Sequence, residues 1–238
     1  NIKGLNECSV PVYHTGAWPH EGVDFTGLNV GVIGTGSSAI QSSPIIAKQA
    51  NSLTIFQRTP NYSIPAYNEA LDPDYVKELK SRYKEYRAEN WQRGFGADFD
   101  DSDQSAFEVS DDERRAEYEK RWAKGGLAFL AVYNDLVFDM KANDTAREFF
   151  KEKIAQRVND PELAEKLVPV TPIGCKRLCV DSDYYEIYNQ DHVKLVDLKQ
   201  TPITEVKGDT VVTSGGEYKV DAIILATGFD AMTGAITN

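Results

Sequence analysis

Cysteine is scarce in this chain. Only Cys8, Cys175 and Cys179 occur among 238 residues, too few and too irregularly placed for a disulfide framework. Three residues separate Cys175 from Cys179, not the two of a thioredoxin-like pair, and neither a second cysteine pair nor a neighbouring histidine completes a zinc site. The pattern excludes a metal site and a dithiol catalyst, and it fits a reduced, cytoplasmic protein. Long apolar runs are missing as well. None approaches the roughly 20 residues of a membrane-spanning helix, so no membrane partner is expected. Basic charge is in deficit: 26 Lys and Arg face 37 Asp and Glu, a formal net charge of −11. A nucleic-acid partner requires a basic face, and none is expected here. Much of the acid falls within residues 98–119 and reads as solvated surface. The chain also lacks a secretory leader and an initiator methionine. Its polar start at Asn1 reads as a piece of a longer protein or as the result of trimming.

What is present suffices for a packed core, with 41% hydrophobic and 11% aromatic residues. The pattern divides into three segments, 1–65, 66–168 and 169–238. In the first, Asn29–Ile33 is a short apolar run ending in glycines, which predicts a buried strand. Ser37–Gln49 follows as a helix, with Ile40, Ile45, Ile46 and Ala47 for its buried side. Pro44, past the first turn, predicts a kink or a lost hydrogen bond. Ser52–Gln57 is β-branched and aromatic and predicts a second buried strand. The middle segment is rich in Lys, Glu, Arg, Tyr and Ala and predicts helices. Asp72-Pro73, Ser110-Asp111-Asp112-Glu113 and Asp160-Pro161-Glu162 read as helix starts, and Gly94, Gly96, Gly125 and Gly126 punctuate the run. It is a helical insertion, not a linker. The last segment returns to strands: 192–196, a hairpin of 203–206 and 210–213 around Lys207-Gly208-Asp209, an extended stretch after Gly216-Glu217, and 221–226. Strand–helix–strand, then strands that rejoin the sheet, predicts an α/β, Rossmann-like dinucleotide-binding fold of the FAD/NAD(P) type with a helical insertion.

Gly34-Thr35-Gly36-Ser37-Ser38-Ala39 fits the pattern G-x-G-x-x-[G/A]. The pattern is weak alone, but here it closes a predicted strand and opens a predicted helix. Gly34 permits the tight turn, Gly36 lets the backbone approach a pyrophosphate, and Ala39 keeps the helix close to the strand. The helix N-terminus then offers N–H donors to phosphate oxygens, with the Ser37 and Ser38 hydroxyls beside them. An acid at the end of the second strand would accept the ribose hydroxyls of NAD or FAD. Gln57-Arg58-Thr59-Pro60 stands there instead. A carboxylate repels a 2′-phosphate, whereas an arginine pairs with it through a bidentate fork. The residues therefore favour NADP over NAD. Lys176-Arg177, after a Pro/Gly turn, carries little weight by itself.

Read in order, several motifs converge. They are His14-Thr15-Gly16-Ala17-Trp18-Pro19, the glycine turn with Ile40-Gln41, Phe56-Gln57-Arg58-Thr59-Pro60-Asn61, Gly174-Cys175-Lys176-Arg177, Asp183-Tyr184-Tyr185-Glu186 and Ala226-Thr227-Gly228-Phe229-Asp230. Together they resemble type I Baeyer–Villiger monooxygenases across nearly the whole chain, and look closest to the phenylacetone monooxygenase branch. The family fingerprint reads F-x-G-x-x-x-H-T-x-x-W-P. His14, Thr15, Trp18 and Pro19 match it, while Cys8 and Val10 occupy the Phe and Gly positions.

The resemblance implies roles residue by residue. Gly34, Thr35, Gly36, Ser37, Ser38 and Gln41 would line the NADP(H) pyrophosphate and its neighbours. Arg58, Thr59 and Lys176 would hold the 2′-phosphate region. Arg177 would be the catalytic arginine that reaches the flavin. His14 would sit at a domain connection and not act as acid or base, and Trp18 would pack. The activity implied is oxidation of ketones to esters or lactones with O2, dependent on NADPH and FAD. The FAD-binding domain would belong to the rest of the same polypeptide, with residues 169–238 completing the NADP-binding domain and starting the return to it. The chain alone would then be inactive. Two other readings fit the same residues: an N- or S-oxygenating flavin-containing monooxygenase, and a non-catalytic NADP-binding module.

Overall fold

The computed structural model describes residues 2–94, 96–98 and 101–229. Asp230, which ends the last quoted motif, lies outside the described residues. The strands are β1 (Val12–His14), β2 (Asn29–Ile33), β3 (Ser52–Gln57), β4 (Ser63–Pro65), β5 (Cys179–Asp181), β6 (Val193–Asp197), β7 (Ile203–Lys207), β8 (Thr210–Thr213), β9 (Gly216–Lys219) and β10 (Ala222–Leu225). The helices are α1 (Ser37–Gln49), α2 (Pro73–Ser81), α3 (Tyr83–Gln92), α4 (Asp111–Lys124), α5 (Met140–Arg157) and α6 (Pro161–Leu167). The chain forms two compact units. One comprises Asn1–Ser63, Lys151–Val170 and Asp183–Asn238; the other comprises Ile64–Phe150 and Thr171–Ser182. Residues 171–182 belong to the second unit, while the C-terminal end of α5 and all of α6 fall in the first.

The first unit is built on a parallel sheet in the order β1-β10-β2-β3-β6. Its central strands β10, β2 and β3 are apolar on both faces, as parallel strands covered on both sides must be. Val30 and Val32 lie on one side of β2, and α1 packs over β2 and β3. On the other side Ile33, Phe56, Val196 and Ile223 join Val206, Val211 and Val220 of the antiparallel β7-β8-β9 meander in one core cluster. Gly31 leaves room there, since a Cβ would meet Val220 and Phe56 at 3.2 and 3.3 Å. At the amino end of the sheet, Asp221 Oδ2 accepts from the Asn29 backbone N–H and from Asn29 Nδ2, each at 2.8 Å.

β2, α1 and β3 fall on the predicted residues. Two details differ. Ile40, Ile46 and Ala47 are buried as expected, but Ile45 is 62% exposed. One residue is about 100° of helical turn, so Ile45 faces away from the stripe made by Ala39, Ile40, Ser43, Ile46 and Ala47. Pro44 lies buried inside α1 without ending it. The third predicted strand, 192–196, is shifted by one residue, to Val193–Asp197.

The second unit is helical, with a small β4-β5 sheet. The predicted starts are real caps. Asp72 accepts from the Asp74 N–H, and Ser110 and Glu113 form a reciprocal capping box at α4. The third predicted start, Asp160, caps α6 in the first unit. The core of the helical unit is aromatic: Tyr118 stacks on Phe129 at 5.3 Å, and Phe150 meets Phe129 and Trp122 edge-on at 4.9 and 5.3 Å. Burial pushes the Tyr118 phenol up to about 12, and its hydroxyl shares a 2.7 Å hydrogen bond with Thr145. A phenol held protonated in the fold, against an ordinary value of 10.0, stabilises the fold below that pH. The contribution is lost as pH rises from 10 through about 12. Alkaline unfolding followed by phenolate absorbance and circular dichroism should show that loss, and Tyr118→Phe should flatten it.

Candidate functional site

The carboxyl edge of the parallel sheet gathers most of the predicted residues. His14, Leu225, Ile33 and Phe56 form one register row across β1, β10, β2 and β3. The residues after them form a rim: Thr15-Gly16, Ala226-Thr227, Gly34-Thr35-Gly36 and Gln57-Arg58-Thr59. From β2 the chain turns to β3 on one side, and it comes back to β10 on the other. The sheet order therefore reverses between β2 and β10, beside the glycine turn. Open α/β sheets bind ligands at such a switch point, outside the carboxyl ends of the strands.

The two motif glycines are needed for different reasons. Gly34 has φ +115°, and a Cβ there would lie 2.3 Å from the carbonyl oxygen of Ala226. Its N–H still donates to the Phe56 carbonyl at 3.0 Å. Gly36 has an ordinary backbone and N-caps α1, and nothing lies within 4 Å of its Cβ position. The space above it is open. No side chain caps α1, and its first turn carries no acid. Ser37 and Ser38 are half-buried on that turn, and Gln41 is exposed one turn further. Thr35 is buried, and its Oγ1 donates to the Thr59 carbonyl at 2.8 Å. This bond ties the glycine turn to the end of β3. No sequence signal marks it, because the x of G-x-G is unconstrained. Arg58 is exposed and makes no ion pair among the described residues.

The fingerprint residues shape the turn after β1. His14 Nδ1 accepts the Gly16 N–H at 3.0 Å, so the neutral ring carries its proton on Nε2. The ring meets Phe229 edge-on at 6.1 Å. Gly16 is small because a Cβ would fall 2.6 Å from the Phe229 ring. The Thr15 N–H donates to the Leu225 carbonyl at 3.1 Å, continuing the ladder to β10. Its buried Oγ1 has no hydrogen-bond partner among the described residues. Trp18 packs on Tyr13 and Phe25, with ring centres 5.8 and 6.2 Å apart. The Pro19 carbonyl accepts the Gly22 N–H at 3.0 Å.

Lys176 and Arg177 belong to the helical unit. Both are exposed, on a loop that turns at Gly174, φ +93°, and runs into β5. The glycine turn, Arg58, Thr59 and the fingerprint share the sheet unit; the Lys-Arg pair stands on the other.

No protein-family model matches the sequence. Individual relatives do. A cyclopentanone 1,2-monooxygenase from Comamonas sp. is 39% identical, over 100% of this chain and 44% of the relative. A Baeyer–Villiger monooxygenase from Pseudooceanicola batsensis is 39% identical, over 98% of this chain and 43% of its own length. A phenazine N-monooxygenase from Lysobacter antibioticus is 37% identical over similar spans, 98% and 43%. An oxidised steroid monooxygenase bound to NADP superposes with a TM-score of 0.95 at 52% identity, over 99% of this chain and 45% of that one. Over nearly its whole length the chain is similar to Baeyer–Villiger monooxygenases. It spans less than half the length of the relatives it matches.

Its departures at the fingerprint have a packing explanation. Cys8 and Val10, in the Phe and Gly positions, are half-buried against the cluster that holds Val206, Val211 and Val220. The Cys8 thiol also donates to the Val10 carbonyl at 3.4 Å. These positions serve the meander interface, whereas the matching His14 and Thr15 line the rim. No helix among the described residues is long and apolar enough to cross a membrane.

Proposed function

We propose that the chain is the NADPH-binding region of a flavin-dependent monooxygenase that converts ketones to esters or lactones. One atom of O2 enters the ester, the other leaves as water, and NADPH supplies the reducing electrons. The observation that carries the reading is the joined rim of Gly34, Gly36, Thr35 and Arg58-Thr59 at the switch point of the sheet. Its features fit the nucleotide. The first turn of α1 has no capping side chain and no acid, which suits a pyrophosphate. Open space over Gly36 admits it, with Ser37, Ser38 and Gln41 alongside. Arg58 is a cation without an ion-pair partner among the described residues, at the end of the second strand, where such folds hold the adenosine ribose. Thr59 stands beside it, and Lys176 would be a further cation for the phosphate.

FAD, bound by the rest of the polypeptide, would supply the oxygen-activating chemistry. Arg177 would hold a fixed positive charge toward it. A guanidinium stabilises developing negative charge and keeps its proton at physiological pH, so it acts by field and hydrogen bonding, not as an acid. His14, with Nδ1 occupied by its own turn, serves the connection between domains. The protein would be cytoplasmic, and its partners would be a ketone, O2 and the FAD domain of the same polypeptide.

The test is product analysis. With NADPH, O2 and both a ketone and a sulfide, the whole polypeptide should form ester, whereas the isolated chain should bind NADPH and form none. The kinship to a phenazine N-monooxygenase favours one alternative, oxygenation of nitrogen or sulfur. Sulfoxide or N-oxide without ester would select that alternative. Ester from the isolated chain supplied with FAD would overturn the division of labour.

A further inference from the structure

The loop that carries Lys176 and Arg177 is anchored at its ends and bare at its tip. Ile173 and Leu178 are buried, while Gly174, Cys175, Lys176 and Arg177 are exposed. Neither cation has an ion pair among the described residues. The backbone beneath them therefore sets where they stand, and one side chain grips that backbone. Asn143, in the first turn of α5, is 3% exposed. Its Nδ2 donates to the carbonyls of Leu136 and Ile173, each at 2.9 Å, and its Oδ1 accepts the Ile173 N–H at 2.9 Å. Both amide protons and the oxygen are spent on main chain. Ile173 is held by its N–H and its carbonyl together, as a neighbouring strand would hold it.

The next residue reinforces the contact. Gly174 has φ +93°, and a Cβ there would lie 2.9 Å from Val137 Cγ1. Val137 follows Leu136 directly. The amide and the glycine thus close the same two stretches on each other, 136–137 and 173–174. No isosteric residue can replace the amide. Aspartate has the shape but cannot donate when ionised, and it would aim a carboxylate at two carbonyl oxygens.

We infer that Asn143 is a positioning residue: it fixes the loop from which Lys176 and Arg177 project, and through Lys176 it sets the preference for a phosphorylated nicotinamide nucleotide. The inference rests on the reading of Lys176 as a 2′-phosphate ligand. A side chain that only stabilised the helical unit would affect both nucleotides alike.

The experiment is a double-mutant cycle in the whole enzyme, Asn143→Asp with Lys176→Ala, with KM measured separately for NADPH and NADH. Asn143→Asp should raise the KM for NADPH about tenfold, the scale of one lost charge-assisted contact, and leave that for NADH unchanged. In the Lys176→Ala background it should add little, because interacting residues are not additive. Equal changes with both nucleotides, or full additivity, would overturn the inference while leaving the site intact. Lys176→Ala without effect on either nucleotide would overturn the reading of the site, and the inference with it. If Asn143→Asp does not fold, Gly174→Ala strains the same loop from its exposed side. It should give the same selective rise, and an unselective or absent effect there counts against Asn143 equally.

Discussion

Gly34→Ala is expected to abolish NADPH binding and to lower the melting temperature by about 10 °C, from a few kcal/mol of strain spread over a chain of this size. Two costs combine. An alanine at φ +115° occupies backbone space that L-residues avoid. Its methyl would also sit 2.3 Å from the Ala226 oxygen and 2.8 Å from the Ala226 carbonyl carbon. Both are main-chain atoms at the end of β10, so no side chain can swing aside. The strand ends must separate, and the rim built on them opens. Gly36→Ala is the control. That residue has φ −85° and empty space where a Cβ would go, so the melting temperature should hold. Nucleotide affinity should still fall sharply, because the methyl enters the space the pyrophosphate needs. Calorimetric titration with NADPH and thermal unfolding, run on both variants, separate the two effects. Normal affinity in Gly36→Ala would mean that the nucleotide does not lie over this turn.

Arg58→Ala is expected to weaken NADPH binding by about 30-fold, since a hydrogen-bonded charged pair contributes about 1.5–3 kcal/mol. Binding of NADH should change little. The side chain is exposed and has no ion-pair partner among the described residues, so its removal leaves no buried charge and the fold should keep its stability. Arg58→Glu should go further and favour NADH, because a carboxylate repels the 2′-phosphate and accepts the free ribose hydroxyls. Dissociation constants for both nucleotides settle the matter: an equal loss for NADPH and NADH would remove Arg58 from the 2′-phosphate subsite.

How much of this was legible in the sequence depends on whether a feature is local. β2, α1 and β3 have their periodicity, turn and lengths written in adjacent residues, and the caps at Asp72, Ser110 and Asp160 announce themselves by side-chain chemistry. Ile45 misleads because apolar character does not reveal which side of a helix faces the sheet. β1, with three residues, is too short for a pattern and exists because β10 offers it a ladder. The compact units are hidden for a different reason: α5 is one continuous helix whose two ends belong to different units. Among site residues, the glycines and Arg58 follow from motif chemistry. The Thr35–Thr59 bond and the grip of Asn143 do not, because each joins a side chain to main chain 24 or 30 residues away.

The position of β10 also dictates an order of assembly. Asn29 and Asp221, which meet at the amino end of the sheet, are 192 residues apart in the chain. β1 and β2 emerge early from the ribosome, yet neither can pair with the other; each waits for β10 to arrive between them. Until then two strand edges stay open, and such edges recruit other chains. Contacts this distant in sequence also slow folding. Nascent chains stopped before Ala222 should therefore be protease-sensitive and prone to associate, and the helical unit, whose contacts are more local, should become protected first.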